Sequence, residues 1–206
     1  MARYTGPKNR IARRMGVNIF GRLRNPLIHK PHPPGMHGAR RKKKSDYGQQ
    51  LEEKQRLRAC YGMISQKQLV RYYKEAVRRD GTTTHELLKQ LEGRLDVTLY
   101  RLRLASTIFH AHQLVAHGHV RVDGKKVDIR SFQGKPGMEI ALSEKAQSNP
   151  IVRQAVANTA RDVPAYLSLE DAKFKGSIVN FPEEDQIPFP LPVNVSLVCE
   201  FIAHTC

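Results

Sequence analysis

The chain of 206 residues carries 35 Lys and Arg against 19 Asp and Glu, a net charge of +16 with a pI near 10.1. That length supports one large domain or two small ones with real cores, and 7% aromatics with no Trp favour a binding surface of cations over one of stacked rings. No stretch approaches the roughly 20 apolar residues of a spanning helix, the first residues lack the apolar core of a secretory signal, and Cys60, Cys199 and Cys206 are too scattered for a disulfide framework or zinc ribbon, so a reducing cytosol is expected.

The charge is unevenly spread. Residues 1–80 hold 21 basic and 5 acidic side chains, whereas residues 81–206 hold 14 of each. Such asymmetry points to an extended polyanion, because each cation placed near a phosphate releases condensed counterions.

Residues 1–48 form a basic N-terminal arm with 13 basic residues and one acid. "RIARRMG", "KPHPPGMHG" and "ARRKKKSDYG" interleave those cations with Gly and Pro. Apart from a turn of helix at 9–15, nothing there has the periodicity of a core, so the arm is expected to be poorly ordered alone and to order on its partner. Its candidate phosphate contacts are Arg3, Lys8, Arg10, Arg13 and Arg14 at the start, then Arg40, Arg41, Lys42, Lys43 and Lys44.

A helical domain is expected over 49–93, joined by the C-terminal segment 189–206. "QQLEEKQRLRACYG" reads as a helix stopped by Gly62, with Arg56 and Arg58 as further candidates. "SQKQLVRYYKEAVRRDG" follows, with Ser65 and Gln68 spaced as a capping box. Its apolar stripe is Leu69, Tyr72, Tyr73, Ala76 and Val77. Lys67, Arg71, Lys74 and Arg78 recur at spacings of 4, 3 and 4, which puts them on one other face as a phosphate-binding stripe. "TTTHELLKQLEG" repeats the design with Thr83 and Glu86 as the cap and Gly93 as the stop.

The third region, 94–188, is expected to be an α/β domain. Leu95, Leu99 and Leu102 mark one helix, and Ser106 is placed to cap another that runs to Gly118. The period then changes to two, with Val120, Val122, Val127 and Ile129 alternating across Asp123-Gly124. That dipeptide is a strong hairpin signal because a type I′ turn needs positive φ at both central residues. "GKPGMEIAL" adds a Pro-Gly turn and a third strand, and Asn149 before Pro150 starts a helix to about residue 160. "GSIVNF" and "VNVSLVCEFIA" read as strands. The class is therefore α+β.

Catalytic and metal readings find little support. There is no phosphate-cradling Gly-rich loop and no nucleophile elbow; lone acids such as Asp96 are more often structural partners than general bases. His110, His112, His117 and His119 cluster beside the hairpin without thiolates or converging acids, and prolines at 31, 33 and 34 spoil helical spacing of His29, His32 and His37. We expect no enzyme, no metal and no cofactor.

"RLDVTLYRLRLASTIFHAHQLVAHGHVRVDGKKVDIRS" resembles the small RNA-binding module named after ribosomal small-subunit protein S-four, here about residues 94–157. With "MARYTGPKNRIARR", "LEEKQRLRACYGMISQKQLVRYYKEA" and the ending "VCEFIA", the whole chain resembles the bacterial or organellar S-four family. The resemblance implies a helical domain with the helix-plus-antiparallel-sheet module inserted. It implies a structural constituent of the small ribosomal subunit that binds small-subunit rRNA early, nucleates assembly of the body and contributes to translational accuracy. It further implies a ribosomal, cytoplasmic location, contacts with the fifth and twelfth small-subunit proteins, a monomer outside the ribosome and no membrane partner. The alternatives carrying the same module are an RNA-modifying enzyme and a stress-type RNA chaperone.

On the module the resemblance marks Arg94, His112, Gln113, His117 and His119, and the hairpin adds Arg121, Lys125 and Lys126. The chain departs from the family pattern at two points. The arm lacks the cysteines that hold zinc in many members, and the module helix has Ile108 and His112 where the family usually carries arginines. His112 can still donate to a phosphate; Ile108 cannot.

Overall fold

The computed structural model describes residues 4–22, 24–40 and 43–205. Two compact units emerge, one made of 1–86 with 189–206 and the other of 87–188. The chain leaves the first within a helix and re-enters it after Pro188.

In the first unit the arm contains α1 (Lys8–Met15) and a short α2 (Pro26–His29). Gly16 ends α1 in the left-handed conformation at φ 73°, and Asn25 caps α2 through its side chain. Ala12, Ile19 and Phe20 are buried, so the arm contributes apolar side chains to the interior. Low periodicity missed them because they come from a helix and a turn, neither of them long enough to show a repeat.

Next come α3 (Asp46–Cys60), capped by Ser45, and α4 (Gln66–Val77), capped by Ser65. Ser65 accepts from the Gln68 amide at 3.3 Å, as its spacing with Gln68 predicts. Leu69, Tyr72 and Ala76 are buried on α4, but Val77 in the final turn is 53% exposed and lies outside the apolar stripe. Helix α5 (Thr83–Glu92) begins at the expected cap residue itself, one position earlier than that cap predicts. The Glu86 amide bonds to the carbonyl of Thr82, and the Glu86 carboxylate turns to Arg79 at 3.6 Å.

The largest correction falls on the tail. "VNVSLVCEFIA" is helical from its third residue, the chain ending in a helix over Val195–Thr205 that is α10 in chain order. Its β-branched residues invited a strand reading, yet Val195, Val198, Phe201 and Ile202 fall at helical spacing and all four are buried. Packing on α3 settles the matter. The Phe201 ring lies 5.3 Å from that of Tyr47 and 4.0 Å beneath the Lys54 ammonium, and the Asn194 amide donates to Glu53 at 2.9 Å.

The second unit contains α6 (Leu95–Arg101), α7 (Ile108–Ala116), α8 (Glu144–Gln147) and α9 (Pro150–Ala157) around a five-stranded antiparallel sheet. The strands are β1 (Val120–Val122), β2 (Lys125–Lys126), β3 (Glu139–Leu142), β4 (Leu167–Glu170) and β5 (Lys175–Ile178), in the order β2-β1-β3-β5-β4. Asp123 and Gly124 have φ of 47° and 78°, the pair of positive angles that a type I′ turn demands. Thr107, one residue beyond the expected Ser106, caps α7 by accepting from the His110 amide at 3.1 Å. Asn149 caps α9 as anticipated. Val120, Val122, Ile140 and Leu142 turn to a core shared with Leu99, Leu102, Leu114 and Val115. Ile129 does not join them and is 51% exposed, because the chain leaves the ladder after Lys126 and the period of two no longer applies.

Candidate nucleic-acid interface

Helix α4 supplies the most coherent surface. Lys67, Arg71, Lys74 and Arg78 are all exposed and line one groove of about 810 Å3, together with Ser65, Gln68, Val70 and Glu75. None of the four makes an ion pair with the described residues; Glu75 is taken by Arg79 at 2.8 Å. Four uncompensated cations along one groove repel one another, a cost that an anionic ligand removes. Ser65 and Gln68 were passed over by reading charge alone, although their place within a turn of Lys67 and Arg71 was the available signal.

A second cationic edge lies on the hairpin of the other unit. Arg121 and Lys126 are direct cross-strand partners and both are exposed. Like charges set opposite one another weaken a hairpin, so folding alone gives no reason for the pair. The Lys126 side chain crosses Gly118 so closely that a methyl there would meet its Cε at 2.1 Å. Lys125, Gln113 and His117 are also exposed, and His119 is half-buried with Nδ1 3.4 Å from the Ser143 hydroxyl.

Several candidates are turned inward instead. Arg94 is buried and forms a two-pronged pair with Asp96, at 3.0 and 2.6 Å. His112 faces the same carboxylate, its Nε2 3.1 Å from Asp96 Oδ2. Both side chains are therefore committed to the interior of the module, and the expectation that His112 donates to phosphate is replaced by a structural role. Asp96 itself is fully buried at the first turn of α6 and also accepts from the Val97 amide at 2.9 Å. Burial alone would raise its pKa, but the His112 ring and the Arg94 guanidinium together more than offset that and hold the carboxyl below the usual carboxylate range.

This shift carries a pH dependence. The folded pKa of Asp96 lies below its unfolded value, so its contribution is fully present above about pH 4. It is lost as pH falls through the lower, folded value. Acid unfolding of the chain followed by circular dichroism should show that loss, and Asp96→Asn should flatten the acid limb; equal acid limbs for the two proteins would contradict the assignment.

In the first unit Arg56 pairs with Glu52 at 3.1 Å and Glu53 at 2.6 Å, and Arg58 donates to the carbonyl of Ile64 at 2.7 Å. Arg58 is also partly buried, which lowers its pKa. Lys44 pairs with Glu52. All three have internal partners; those of Arg56 lie three and four residues back on the same helix, a spacing the sequence does show, whereas those of Lys44 and Arg58 follow from the fold. In the arm Arg10, Arg14, Arg40 and Lys43 are exposed, Lys8 is half-buried, and Arg13 points back into the arm; Arg3, Arg41 and Lys42 lie outside the described residues.

A cationic helix stripe in one unit and a cationic hairpin in an α/β unit are the marks of an RNA-binding class of protein, to which family comparison also points. Residues 3–92 match the family described as "Ribosomal protein S4/S9 N-terminal domain", and residues 93–140 match the "S4 domain". The chain is 58% identical over 205 residues to the small ribosomal subunit protein uS4 of Protochlamydia amoebophila, covering 100% of each. It is 61% identical over 207 aligned positions to that of Chlamydia trachomatis serovar L2 and 58% to that of Chlamydia felis, covering 99% of each chain in both cases. The chain belongs to the uS4 family of small ribosomal subunit proteins.

Proposed function

We propose that this protein is a structural, non-enzymatic constituent of the small ribosomal subunit in the cytoplasm, where it binds small-subunit rRNA directly and contacts neighbouring ribosomal proteins. The observation that carries the reading is the α4 groove, with four exposed cations and no ion-pair partner among the described residues. The hairpin pair Arg121 and Lys126 supports it from the second unit. Phosphate contacts of this kind set orientation, while recognition of a folded RNA comes from shape.

Nucleation of the subunit body, a contribution to decoding accuracy and contacts with the fifth and twelfth small-subunit proteins belong to the same reading and rest on family membership. The relatives named above are all ribosomal proteins, which leaves the modifying-enzyme and chaperone alternatives without support. No helix among the described residues is long and apolar enough to cross a membrane.

Salt dependence tests the reading. If about ten phosphates are neutralised, a plot of log affinity for small-subunit rRNA against log salt should slope at roughly −7 to −9. Filter binding with a nearly flat slope would remove the electrostatic basis of the proposal.

A further inference from the structure

We infer that Arg13 is a positioning residue rather than a phosphate contact: it buckles the Pro-rich loop of the arm onto α1 and so presents a pre-shaped cationic surface to RNA. This rests on the RNA-binding reading above and deepens it. Arg13 Nε donates to the carbonyls of Lys30 and His32 at 3.1 and 3.0 Å, and Nη2 donates to that of Pro33 at 3.4 Å. The three acceptors lie 17 to 20 residues away in the chain. One planar guanidinium thus gathers three carbonyls from a four-residue stretch.

The sequence of the loop explains why it needs such a donor. Pro31, Pro33 and Pro34 have no N–H, so the segment cannot build its own ladder of backbone bonds. Its carbonyls must be met from outside or left to water. An arginine suits this task because its donors form a rigid fork that serves several acceptors at once, whereas a lysine offers a point charge on a flexible stem.

Other contacts close the same small body. Arg22 Nη1 donates to Asn9 Oδ1 at 2.8 Å, tying the segment after α1 back to its first turn. Asn18 brackets that segment from the other side, donating to the Arg22 carbonyl at 2.8 Å and accepting from its amide at 3.1 Å. Beyond the buckle, Gly38 lies so close to the Pro33 carbonyl that a Cβ would sit 2.0 Å from that oxygen, which keeps the 33–38 turn tight. Arg10 and Arg14, one helical turn apart, remain exposed on α1, with Arg14 also within electrostatic reach of Glu52. The arm therefore has its own fastenings, and docking proceeds from a shaped surface instead of awaiting the ligand to fold it.

The test uses the full chain with Arg13→Lys, which keeps the charge and removes the fork, beside Arg10→Gln and Arg14→Gln. Hydrogen exchange of residues 29–38 in the RNA-free protein should quicken about tenfold or more in R13K and stay unchanged in the other two. Affinity for a transcript of Protochlamydia amoebophila small-subunit rRNA should fall about 5- to 20-fold in R13K with its salt slope preserved. R10Q and R14Q should each reduce the slope by about one. Wild-type exchange in R13K would overturn the inference, as would faster exchange with undiminished affinity. So would an R13Q variant that lowers the slope by one while exchange is unaltered. Wild-type protein with no salt-dependent binding would instead sink the RNA-binding reading, leaving the exchange result to judge the buckle separately.

Discussion

Replacing Asp96 with Ala is expected to destabilise the 87–188 unit by about 3–5 kcal/mol. The carboxylate is fully buried, and its loss leaves the Arg94 guanidinium, itself 6% exposed, without its two-pronged partner. The damage does not stay local. Asp96 also faces His112 on α7, and its own amide donates to the carbonyl of Arg130 at 3.4 Å, beside the bond from the Leu95 amide to Phe132 at 2.9 Å. The side chain therefore fastens the start of α6 to the middle of α7, while the backbone bond to Arg130 survives the substitution. For a unit of about 100 residues the loss corresponds to a fall in Tm of roughly 15–30 °C. Thermal unfolding followed by circular dichroism measures it directly, and a fall below about 4 °C would mean that the buried pair is dispensable.

The second large effect is on binding. Replacing Arg71 and Arg78 together with Gln should weaken affinity for small-subunit rRNA about tenfold near 0.15 M salt and reduce the log-log salt slope by about two. Arg71 on α4 and Arg78 at its C-cap are both exposed, away from buried Leu69, Tyr72 and Ala76, so far-UV circular dichroism should be unchanged. Lys173→Gln is the matched control. That lysine is exposed but committed to Glu170 at 2.9 Å, and its loss should leave binding within twofold. Unchanged affinity in the double variant would reduce the stripe to a solvated helix face.

Much of this was legible without coordinates where the information is local. A capping serine, an Asp-Gly turn and a helical repeat of cations are set by the conformational preferences of a few neighbouring residues. Ser65, Asp123-Gly124, Asn149 and the shared exposed face of the four cations at 67–78 therefore stand as read. The tail failed for the opposite reason. Val195, Val198 and Ile202 favour strands weakly, and the burial of their helical face against α3 overrides that preference.

The same division runs through the candidate site. By itself the sequence determined that a polyanion is bound, which half of the chain carries the excess charge, and which helix displays it, because net charge and periodicity need no partner to be counted. Tertiary structure alone decided which cations are free. Arg94 and Arg71 are chemically identical, yet Arg94 lies against a buried carboxylate two residues away while Arg71 stands in an open groove. Arg13 meets carbonyls 17 to 20 residues distant. A charged side chain becomes structural when folding turns it onto an acceptor, whether a buried carboxylate two residues away or exposed loop carbonyls 17 to 20 residues away, and the fold decides which way it turns.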